Sequence, residues 1–166
     1  MIAVPLDKKG HNRKDFDCGV DALNNYLRMM ANQQSTRDNT RTFVLEDVKN
    51  PTHIIGYYTL TMTTINLDSL PNPLQKKHTN SHSAGLIARL AVDKRYFKRG
   101  YGEWLLIDAL RKLLLASESV AFPLVVVDSK EGAIQFYKKL GFECFLDMTH
   151  KVYMTIADIR KSLSKL

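Results

Sequence analysis

The sequence predicts a mixed α/β fold. Residues 18–31 and 103–116 place apolar side chains three and four positions apart, which is the spacing of amphipathic helices. Residues 54–65 and 122–127 are rich in β-branched and aromatic side chains, which favour strands. The 166 residues contain no internal repeat, linker or break in composition, so we expect one domain spanning residues 1–166.

Five elements are expected in the first half of the chain. In order, they are a helix over residues 18–31, a short strand over 41–47, a turn at Asn50-Pro51, a longer strand over 54–65 and a polar loop over 75–83. Asp17 can accept hydrogen bonds from the free N–H groups at the start of the helix, so it is the expected N-cap. Pro71-Asn72-Pro73 is expected to end the longer strand.

Seven elements are expected in the second half. In order, they are a strand over residues 86–92, a helix over 103–116, a strand over 122–127, a helix over 130–140, strands over 142–146 and 152–156, and a closing helix over 156–163. Asp128 or Ser129 can cap the helix of residues 130–140, and Gly141 is expected to end it. Asp108 and Lys112 are expected on the polar face of the helix of residues 103–116, where they can pair weakly.

The composition is that of a folded protein with excess positive charge. Hydrophobic residues make up 45% of the chain and charged residues 25%, a balance that argues against intrinsic disorder. Lysine and arginine number 24 against 17 acidic residues, so the formal net charge at pH 7 is +7. This excess favours a polyanionic partner or a phosphate-rich ligand.

Cysteine usage and hydropathy favour a soluble, cytoplasmic protein. Cys18 and Cys144 stand in no CxxC or zinc-ligand pattern, so neither a disulfide framework nor a metal site is expected. No apolar run approaches the ~20 residues that span a bilayer. The first residues also lack the pattern of a signal peptide. We therefore expect no metal and no membrane partner.

Residues 90–106 carry the strongest chemical signal. A predicted strand leads into a basic turn with Gly100 and Gly102, and the turn opens a predicted helix. Glycine allows a ligand to approach the backbone closely, and the first N–H groups of a helix have no partner within it. Together with the helix dipole and with Lys98 and Arg99, these features can hold a phosphate or pyrophosphate. An ordinary turn with solvated lysines is the alternative.

Motifs of several other enzyme classes do not occur in the sequence. GxxxxGKS/T would indicate a P-loop nucleotidase, and GxGxxG would indicate a dinucleotide site. GxSxG and HExxH are also missing, which weakens a hydrolase interpretation. His78 and His82 lie in the predicted polar loop and are expected to be solvent-exposed rather than catalytic.

A second informative stretch covers residues 133–142. Phe136 and Leu140 lie four residues apart on one face of the predicted helix, and Tyr137 stands beside that face near the helix C-terminus. A tyrosine in such a position is most often a half-buried packing residue with a solvated hydroxyl. Its functional interpretation is a proton donor to a leaving group.

These two stretches together resemble the GCN5-related N-acetyltransferase (GNAT) superfamily. The family motif Gln/Arg-x-x-Gly-x-Gly/Ala, which holds the pyrophosphate of acetyl-CoA, aligns with residues 97–102, where Phe97 replaces the usual Gln or Arg. The resemblance implies an acetyl-CoA-dependent N-acetyltransferase with a mixed, mostly antiparallel sheet, splayed into a V and flanked by helices. It implies that Tyr137 protonates the departing CoA thiolate. It assigns acetyl-CoA binding to Leu90, Ala91, Val92, Phe97, Lys98, Arg99, Gly100, Tyr101, Gly102, Glu103 and Phe136.

A narrower resemblance extends over most of the chain. Segments similar to toxin acetyltransferases of bacterial type II toxin–antitoxin pairs are residues 16–27, 40–44, 56–60, 89–93 and 133–142, with Ala88 where that group usually has glycine. This resemblance implies acetylation of the α-amine of aminoacyl-tRNA, which stops translation. It also implies a ribbon-helix-helix antitoxin that neutralises the protein, and a homodimer.

A tRNA substrate agrees with the basic composition, because lysine and arginine bind phosphate backbones. The residues expected to contact tRNA are Lys76, Lys77, Arg89, Lys94 and Arg95, and a solvated basic surface is the alternative for each of them. No strong general base is expected, since an α-amine is already partly neutral at cell pH. The alternative functions are an acetyltransferase for protein or small-molecule amines, and a catalytically silent binding module.

Overall fold

The computed structural model describes residues 1–129 and 133–166. Its strands are β1 (Val4–Pro5), β2 (Arg41–Asp47), β3 (Asn50–Thr64), β4 (Ser83–Val92), β5 (Leu124–Asp128), β6 (Glu143–Cys144) and β7 (Lys151–Thr155). Its α-helices are α1 (Asp21–Asn25), α2 (Ala31–Thr36), α3 (Asn72–Lys77), α4 (Tyr101–Ser119), α5 (Ile134–Lys139) and α6 (Ile156–Leu163). A π-helical turn, Tyr26–Met30, joins α1 to α2, and 3-10 turns cover Leu67–Ser69 and Lys94–Tyr96.

The strands form a mixed sheet in the order β1-β2-β3-β4-β5-β7-β6. The pairs β1–β2, β2–β3, β5–β7 and β6–β7 are antiparallel, whereas β4 and β5 are parallel. The parallel register covers Gly85↔Val125 to Ile87↔Val127, and β4 continues from there to Val92. This mixed, mostly antiparallel sheet with flanking helices confirms the predicted α/β fold class.

The chain divides into two compact units, of which the first comprises residues 1–61 and 88–109. Adjacent tyrosines on β3 anchor a helix on each side of this part of the sheet, because successive strand residues face opposite sides. The Tyr57 hydroxyl donates to the Leu23 carbonyl oxygen of α1 at 2.7 Å. The Tyr58 hydroxyl donates to the Asp108 carboxylate of α4 at 2.5 Å.

The expectation that Asp108 lies on an exposed helix face is therefore wrong. Its side chain turns towards β3, and the residue is only 9% exposed. A buried carboxylate needs a hydrogen-bond partner, which Tyr58 supplies. Burial of Tyr58 and its bond to Asp108 raise the pKa of the tyrosine well above its usual value.

The second unit comprises residues 62–87 and 110–166. Its core contains β5, whose residues 124–127 are all buried, as is typical of a central strand covered on both faces. Helix α5 ends as predicted at Gly141, which has φ +99. The Phe142 N–H donates to the Tyr137 carbonyl oxygen, and the Gly141 N–H to that of Lys138, each at 3.1 Å. This double closure is the Schellman motif.

The bounds of β2 and α6 are those that the sequence predicts, whereas two local predictions near the first helix and the first hairpin are wrong. Val20, not Asp17, is the N-cap of α1. The turn does not lie at Asn50-Pro51, because Asn50 begins β3 and pairs with Asp47. The two residues between them, 48 and 49, make the turn.

Three further boundaries differ from the sequence prediction. Strand β3 ends at Thr64, before Pro71-Asn72-Pro73, and those residues instead lead into α3. Residues 75–77 are therefore helical rather than part of a loop, since proline suits the first turn of a helix. The cap of α5 is Ala133 rather than Asp128 or Ser129. The predicted start of that helix, residues 130–132, lies outside the described residues.

Candidate active site

The connection from β4 to α4 turns through two residues with positive φ. Asp93 first caps a 3-10 turn, since its carboxylate accepts the Arg95 N–H at 2.9 Å. Lys98 then has φ +60 and Gly100 has φ +81. Left-handed residues within such a turn direct successive backbone N–H groups to one side, which forms a concave anion-binding site.

The start of α4 supplies further free N–H groups beside this turn. The Trp104 N–H donates to the Gly100 carbonyl oxygen at 3.1 Å, which makes Gly100 the helix N-cap. The N–H groups of residues 101–103 precede that first bond and have no partner within the helix. The 19-residue helix directs the positive end of its dipole to the same place. Lys98 and Arg99 are exposed beside it and add positive charge.

Gly100 is required for its conformation rather than for its size. A Cβ at this position would meet no protein atom within 4 Å. A φ of +81 is strained for any residue with a side chain, and it costs a β-branched residue most. Phe97, which replaces a polar residue of the family motif, is 50% exposed and lies at the start of the loop.

Tyr96 fixes the loop to the sheet. Its hydroxyl donates to the Asp47 carboxylate at the end of β2, at 2.7 Å. This hydrogen bond holds the pKa of Asp47 below its usual value. The Tyr96 ring lies edge-on to Tyr101, with ring centroids 6.1 Å apart, and the Arg99 guanidinium lies 5.6 Å from its centroid. The first helical residue and a loop cation are thus positioned by one aromatic side chain.

The predicted binding strand, residues 90–92 of β4, is held closely against β3. A Cβ on Gly56 of β3 would lie 2.7 Å from the Ala91 carbonyl oxygen and 2.6 Å from Leu105 Cδ1 of α4. The Asp93 N–H donates to the Ile55 carbonyl oxygen at 2.8 Å, which continues the association beyond the end of β4. A glycine on β3 therefore permits the close packing that sets the position of this strand.

Three of the cations predicted to contact tRNA have partners within the protein. Lys94 Nζ lies 2.9 Å from the Asp17 carboxylate, and Arg95 pairs with Asp93. The Arg89 guanidinium stacks 3.6 Å from the Tyr26 ring centroid, a cation–π contact that orients it. Hydrogen bonds from Lys94, and from Gly19 and Asn24 beside it, hold the pKa of Asp17 far below its usual value.

The remaining predicted cations and the predicted acid lie in the second unit. Lys76 and Lys77 are exposed at the end of α3. Tyr137 on α5 is 6% exposed, and its ring lies edge-on to those of Phe136 and Phe142, with centroids 5.1 and 5.7 Å away. Burial raises the pKa of Tyr137 to about 12. The hydroxyl therefore keeps its proton at every physiological pH.

The described residues contain neither a candidate metal cluster nor a candidate membrane-spanning helix. No group of three or more His, Cys, Asp or Glu side chains in the described ranges could hold a metal ion. His82 is exposed as expected, whereas His78 is half-buried, and burial together with Lys77 lowers its pKa. No helix within residues 1–129 and 133–166 is long and apolar enough to cross a membrane.

Sequence reasoning missed the residues that support the loop. These are Gly56, Asp93, Tyr96 and Asp47. Asp93 could have been found, because an aspartate just before a basic helical turn is a common N-cap signal. Its buried position and the 49-residue separation between Tyr96 and Asp47 have no local signature.

Comparison with known proteins places the chain in a family. Residues 38–144 match the family model for an acetyltransferase (GNAT) domain. The probable toxin TacT of Sinorhizobium fredii is 28% identical, over 96% of this chain and 93% of its own length. The tRNA-acetylating toxin of Mycobacterium tuberculosis is 27% identical, over 77% of this chain and 76% of its own.

Solved structures agree with this assignment at the level of the fold. A tyrosine-to-phenylalanine mutant of KacT has a TM-score of 0.87 at 26% identity, and the match covers 97% of this chain and 99% of that one. AtaT complexed with acetyl-methionyl-tRNAfMet also has a TM-score of 0.87, at 24% identity and covering 97% and 98% of the two chains. The chain thus belongs to the GNAT family of acetyltransferase domains, as the glycine loop before α4, residues 97–102, first suggested.

Proposed function

We propose that the protein transfers the acetyl group of acetyl-CoA to the α-amine of aminoacyl-tRNA and so blocks translation. The observation that carries the donor half is the pair of left-handed residues, Lys98 and Gly100, immediately ahead of the long helix α4. Such a backbone favours a concave arrangement of N–H groups that binds anions. The acceptor half is supported by the likeness to the tRNA-acetylating toxin of Mycobacterium tuberculosis. An acetylated α-amine cannot attack the ester bond of peptidyl-tRNA, so peptide-bond formation stops.

The donor site is built from backbone groups and two cations. In this proposal, the N–H groups of Gly100, Tyr101, Gly102 and Glu103 bind the pyrophosphate, and Lys98 and Arg99 balance its charge. The backbone of residues 90–92, beyond the part of β4 that is in register with β5, contacts the pantetheine arm. Phe97 and Phe136 pack beside the donor. A V-shaped opening of the sheet, which would admit the arm, stays a prediction.

Acyl transfer then needs an acid and an oxyanion donor. The neutral amine attacks the thioester carbonyl, the new C–N bond forms and the C–S bond breaks. A backbone N–H near Val92 stabilises the carbonyl oxygen as charge develops on it. Tyr137 gives its proton to the sulfur, and the proton released by the amine passes to solvent. The raised pKa of Tyr137 keeps the donor protonated before each turnover.

The same proposal includes the partners. Lys76, Lys77, Arg89, Lys94 and Arg95 contact tRNA phosphates, and the ion pairs of Lys94 and Arg95 make their contribution the smaller one. A ribbon-helix-helix antitoxin neutralises the protein, and two copies form a homodimer. Since charged tRNA and acetyl-CoA occur together in the cytoplasm, the protein acts there.

The test is acetylation of a bulk aminoacyl-tRNA pool by the purified protein and acetyl-CoA. Mass spectrometry of the nuclease-released aminoacyl ends is expected to show added acetyl groups on the α-amine and to identify the amino acid. An unmodified tRNA pool, together with acetylated protein N-termini or small amines in parallel reactions, would overturn the proposed acceptor and support the alternative substrate class.

A further inference from the structure

A basic groove of about 480 Å³ lies in the first unit, between the N-terminal segment and the helical stretch from α1 to α2. We name it the α2 groove, and its cations are Lys8, Arg13, Arg28 and Arg37. We propose that the α2 groove binds the phosphodiester backbone of an RNA. The identity of this RNA rests on the proposed function, from which it follows that the RNA is the tRNA substrate. None of its residues belongs to the predicted donor site or to the predicted tRNA contacts.

The charge of the α2 groove is not neutralised by the protein. Half of its eight lining residues are cations and none is acidic. Within the described ranges, none of these four cations takes part in an ion pair, unlike Lys94 and Arg95. The carboxylate that follows Arg37 in sequence, Asp38, is bound 2.6 Å from Arg41. The groove therefore keeps a positive potential that an anionic ligand would relieve.

Arg28 is held in place by neutral oxygens. Its Nε donates to the Arg13 carbonyl at 3.3 Å, and an Nη donates to that of Phe16 at 2.5 Å. Arg13 in turn donates to the Arg28 carbonyl oxygen at 3.1 Å. Carbonyl oxygens orient a guanidinium without cancelling its charge, so the two arginines form an ordered pair of like charges. Planar, ordered guanidinium groups are well suited to phosphate oxygens.

The helical stretch beside the groove is irregular at the same place. Residues 26–30 form a π-helical turn, and this turn carries Arg28 and Met29. A π-turn in the middle of a helix costs hydrogen-bond geometry and occurs frequently at functional sites. Here it presents Arg28 to the groove, while Tyr26 of the same turn stacks on Arg89. The irregular turn thus orients two arginines at once.

The lining favours a phosphate backbone over an acidic peptide. Besides the cations, the groove presents the polar side chains of Asn32, Gln33 and Thr36. Amide and hydroxyl side chains commonly bind phosphate and sugar oxygens alongside lysine and arginine. A bound peptide usually needs apolar anchor pockets. Met29 is the sole apolar residue of this lining, and it is largely exposed.

The test compares two double variants that change charge equally. In Lys8→Gln/Arg37→Gln the groove loses two cations whose side chains make no hydrogen bond or ion pair within the described residues. In the control, Lys161→Gln/Lys165→Gln, the chain loses two exposed cations in the other unit, one in the last turn of α6 and one two residues beyond it. The formal charge falls from +7 to +5 in both. Arg28 is left unchanged because it holds backbone oxygens.

Binding of deacylated bulk tRNA is measured by filter retention between about 50 mM and 200 mM salt. The groove variant is expected to bind about tenfold more weakly, with a log–log salt slope shallower by about two, since each phosphate contact contributes about one. The control should keep the wild-type slope. Acetyl-CoA affinity, measured by calorimetry, should be unchanged in both variants, which shows that they are folded.

An equal loss of tRNA affinity in both variants would mean that net charge, and not the groove, determines binding, and it would overturn the proposal. Wild-type tRNA affinity in the groove variant would also overturn it. If the groove variant lost binding to poly-L-glutamate but kept binding to tRNA, the occupant would instead be an acidic peptide. The outcomes separate this inference from the proposed function. If the groove binds RNA but the protein acetylates no tRNA, only the proposed function is contradicted. If the protein acetylates tRNA and the groove variant binds tRNA normally, only the inference about the groove is contradicted.

Discussion

The Asp93 carboxylate holds Arg95 through both of its oxygens, with Arg95 Nε 2.9 Å from Oδ1 and Nη2 3.0 Å from Oδ2. Asp93 is 1% exposed and also accepts the Asp17 N–H at 3.1 Å. One buried carboxylate therefore joins the segment before α1, the end of β4 and the entry to the glycine loop. The loop starts from this fixed point, so its geometry depends on a residue that is not among those predicted to bind the donor.

Asp93→Asn is expected to destabilise the protein in a pH-dependent way. Burial alone would raise the pKa of Asp93, but the hydrogen bonds from Arg95 and Asp17 outweigh it and hold the pKa below its usual value. A carboxyl with a lowered folded-state pKa stabilises fully above its unfolded value of about 3.9, and this contribution is lost as pH falls further.

Urea unfolding from pH 7 down to about pH 3 checks this expectation. The wild type should exceed Asp93→Asn in unfolding free energy by about 1–3 kcal/mol at pH 7. The difference should shrink as the pH falls below about 3.9, because the carboxyl of the unfolded chain then takes up a proton before that of the folded protein. Other carboxyls with lowered pKa, such as Asp17 and Asp47, are present in both proteins and cancel in the difference. A difference that stayed constant through the acid range would contradict the assignment.

Tyr137→Phe is expected to slow acetyl transfer by roughly 10²–10⁴-fold, the range for a lost general acid, without weakening acetyl-CoA binding. Tyr153→Phe is the matched control. Tyr153 is also buried in the second unit and also has a pKa raised to about 12, but its hydroxyl donates to Glu143 at 3.1 Å. Single-turnover rates and calorimetric affinities separate chemistry from binding. Equal rates for the two variants would remove the acid role from Tyr137.

The pH profile of acetyl transfer follows from the same tyrosine. Rates should rise as the acceptor α-amine loses its proton, with an apparent pKa near the ~7.7–8.0 of an α-amino group. They should then stay level to about pH 10, because the pKa of Tyr137 is raised to about 12 and its proton is retained. Initial rates in short reactions would show this plateau. A fall in rate between about pH 8 and pH 10 that is present in the wild type and missing in Tyr137→Phe would show that Tyr137 titrates there, well below its raised pKa.

The glycine loop could be predicted from sequence because its signal is local. The strand, two glycines, adjacent cations and the amphipathic helix lie within residues 90–106, and each has a known backbone preference. The contact between Asp17 and Asp93 joins residues 76 positions apart, and no periodicity reports it. The α2 groove is similar, since its cations come from residues 8–37 and only the fold brings them together.

The errors in local structure have the same origin. Asn50-Pro51 is typical of a turn, yet antiparallel pairing of Asp47 with Asn50 places the turn two residues earlier. The segment around Gln75 is polar enough for a loop, yet Pro73 in the first turn favours a short helix. In both places the tertiary context overrides a reasonable local preference.

Gly100→Val is expected to weaken acetyl-CoA binding, whereas Gly100→Asn should largely preserve it. Asparagine tolerates the left-handed region and valine does not, and the penalty of about 1–2 kcal/mol corresponds to roughly 5–30-fold in affinity. Calorimetry with acetyl-CoA measures both. Gly19 has a similar φ of +85 and open space around it, and it lies outside the residues predicted to bind the donor. Gly19→Val therefore carries comparable strain and should keep wild-type affinity. Equal loss in both Gly100 variants would mean that crowding of the ligand, not backbone strain, decides.

Gly56→Ala is expected to destabilise the first unit and to weaken acetyl-CoA binding together, because β3, β4 and α4 meet at this glycine. The added Cβ would lie 2.6 Å from Leu105 Cδ1 and 2.7 Å from the Ala91 carbonyl oxygen. Overpacking of this kind costs about 1–3 kcal/mol, and a flexible side chain yields more easily than a backbone oxygen. Adding Leu105→Ala removes the first clash and leaves the second. The double variant should therefore not recover acetyl-CoA affinity, which calorimetry measures. This holds even if urea unfolding shows that the effects of the two substitutions on the unfolding free energy are not additive. Full recovery of affinity would place the constraint on the helix rather than on the strand that the donor is proposed to contact.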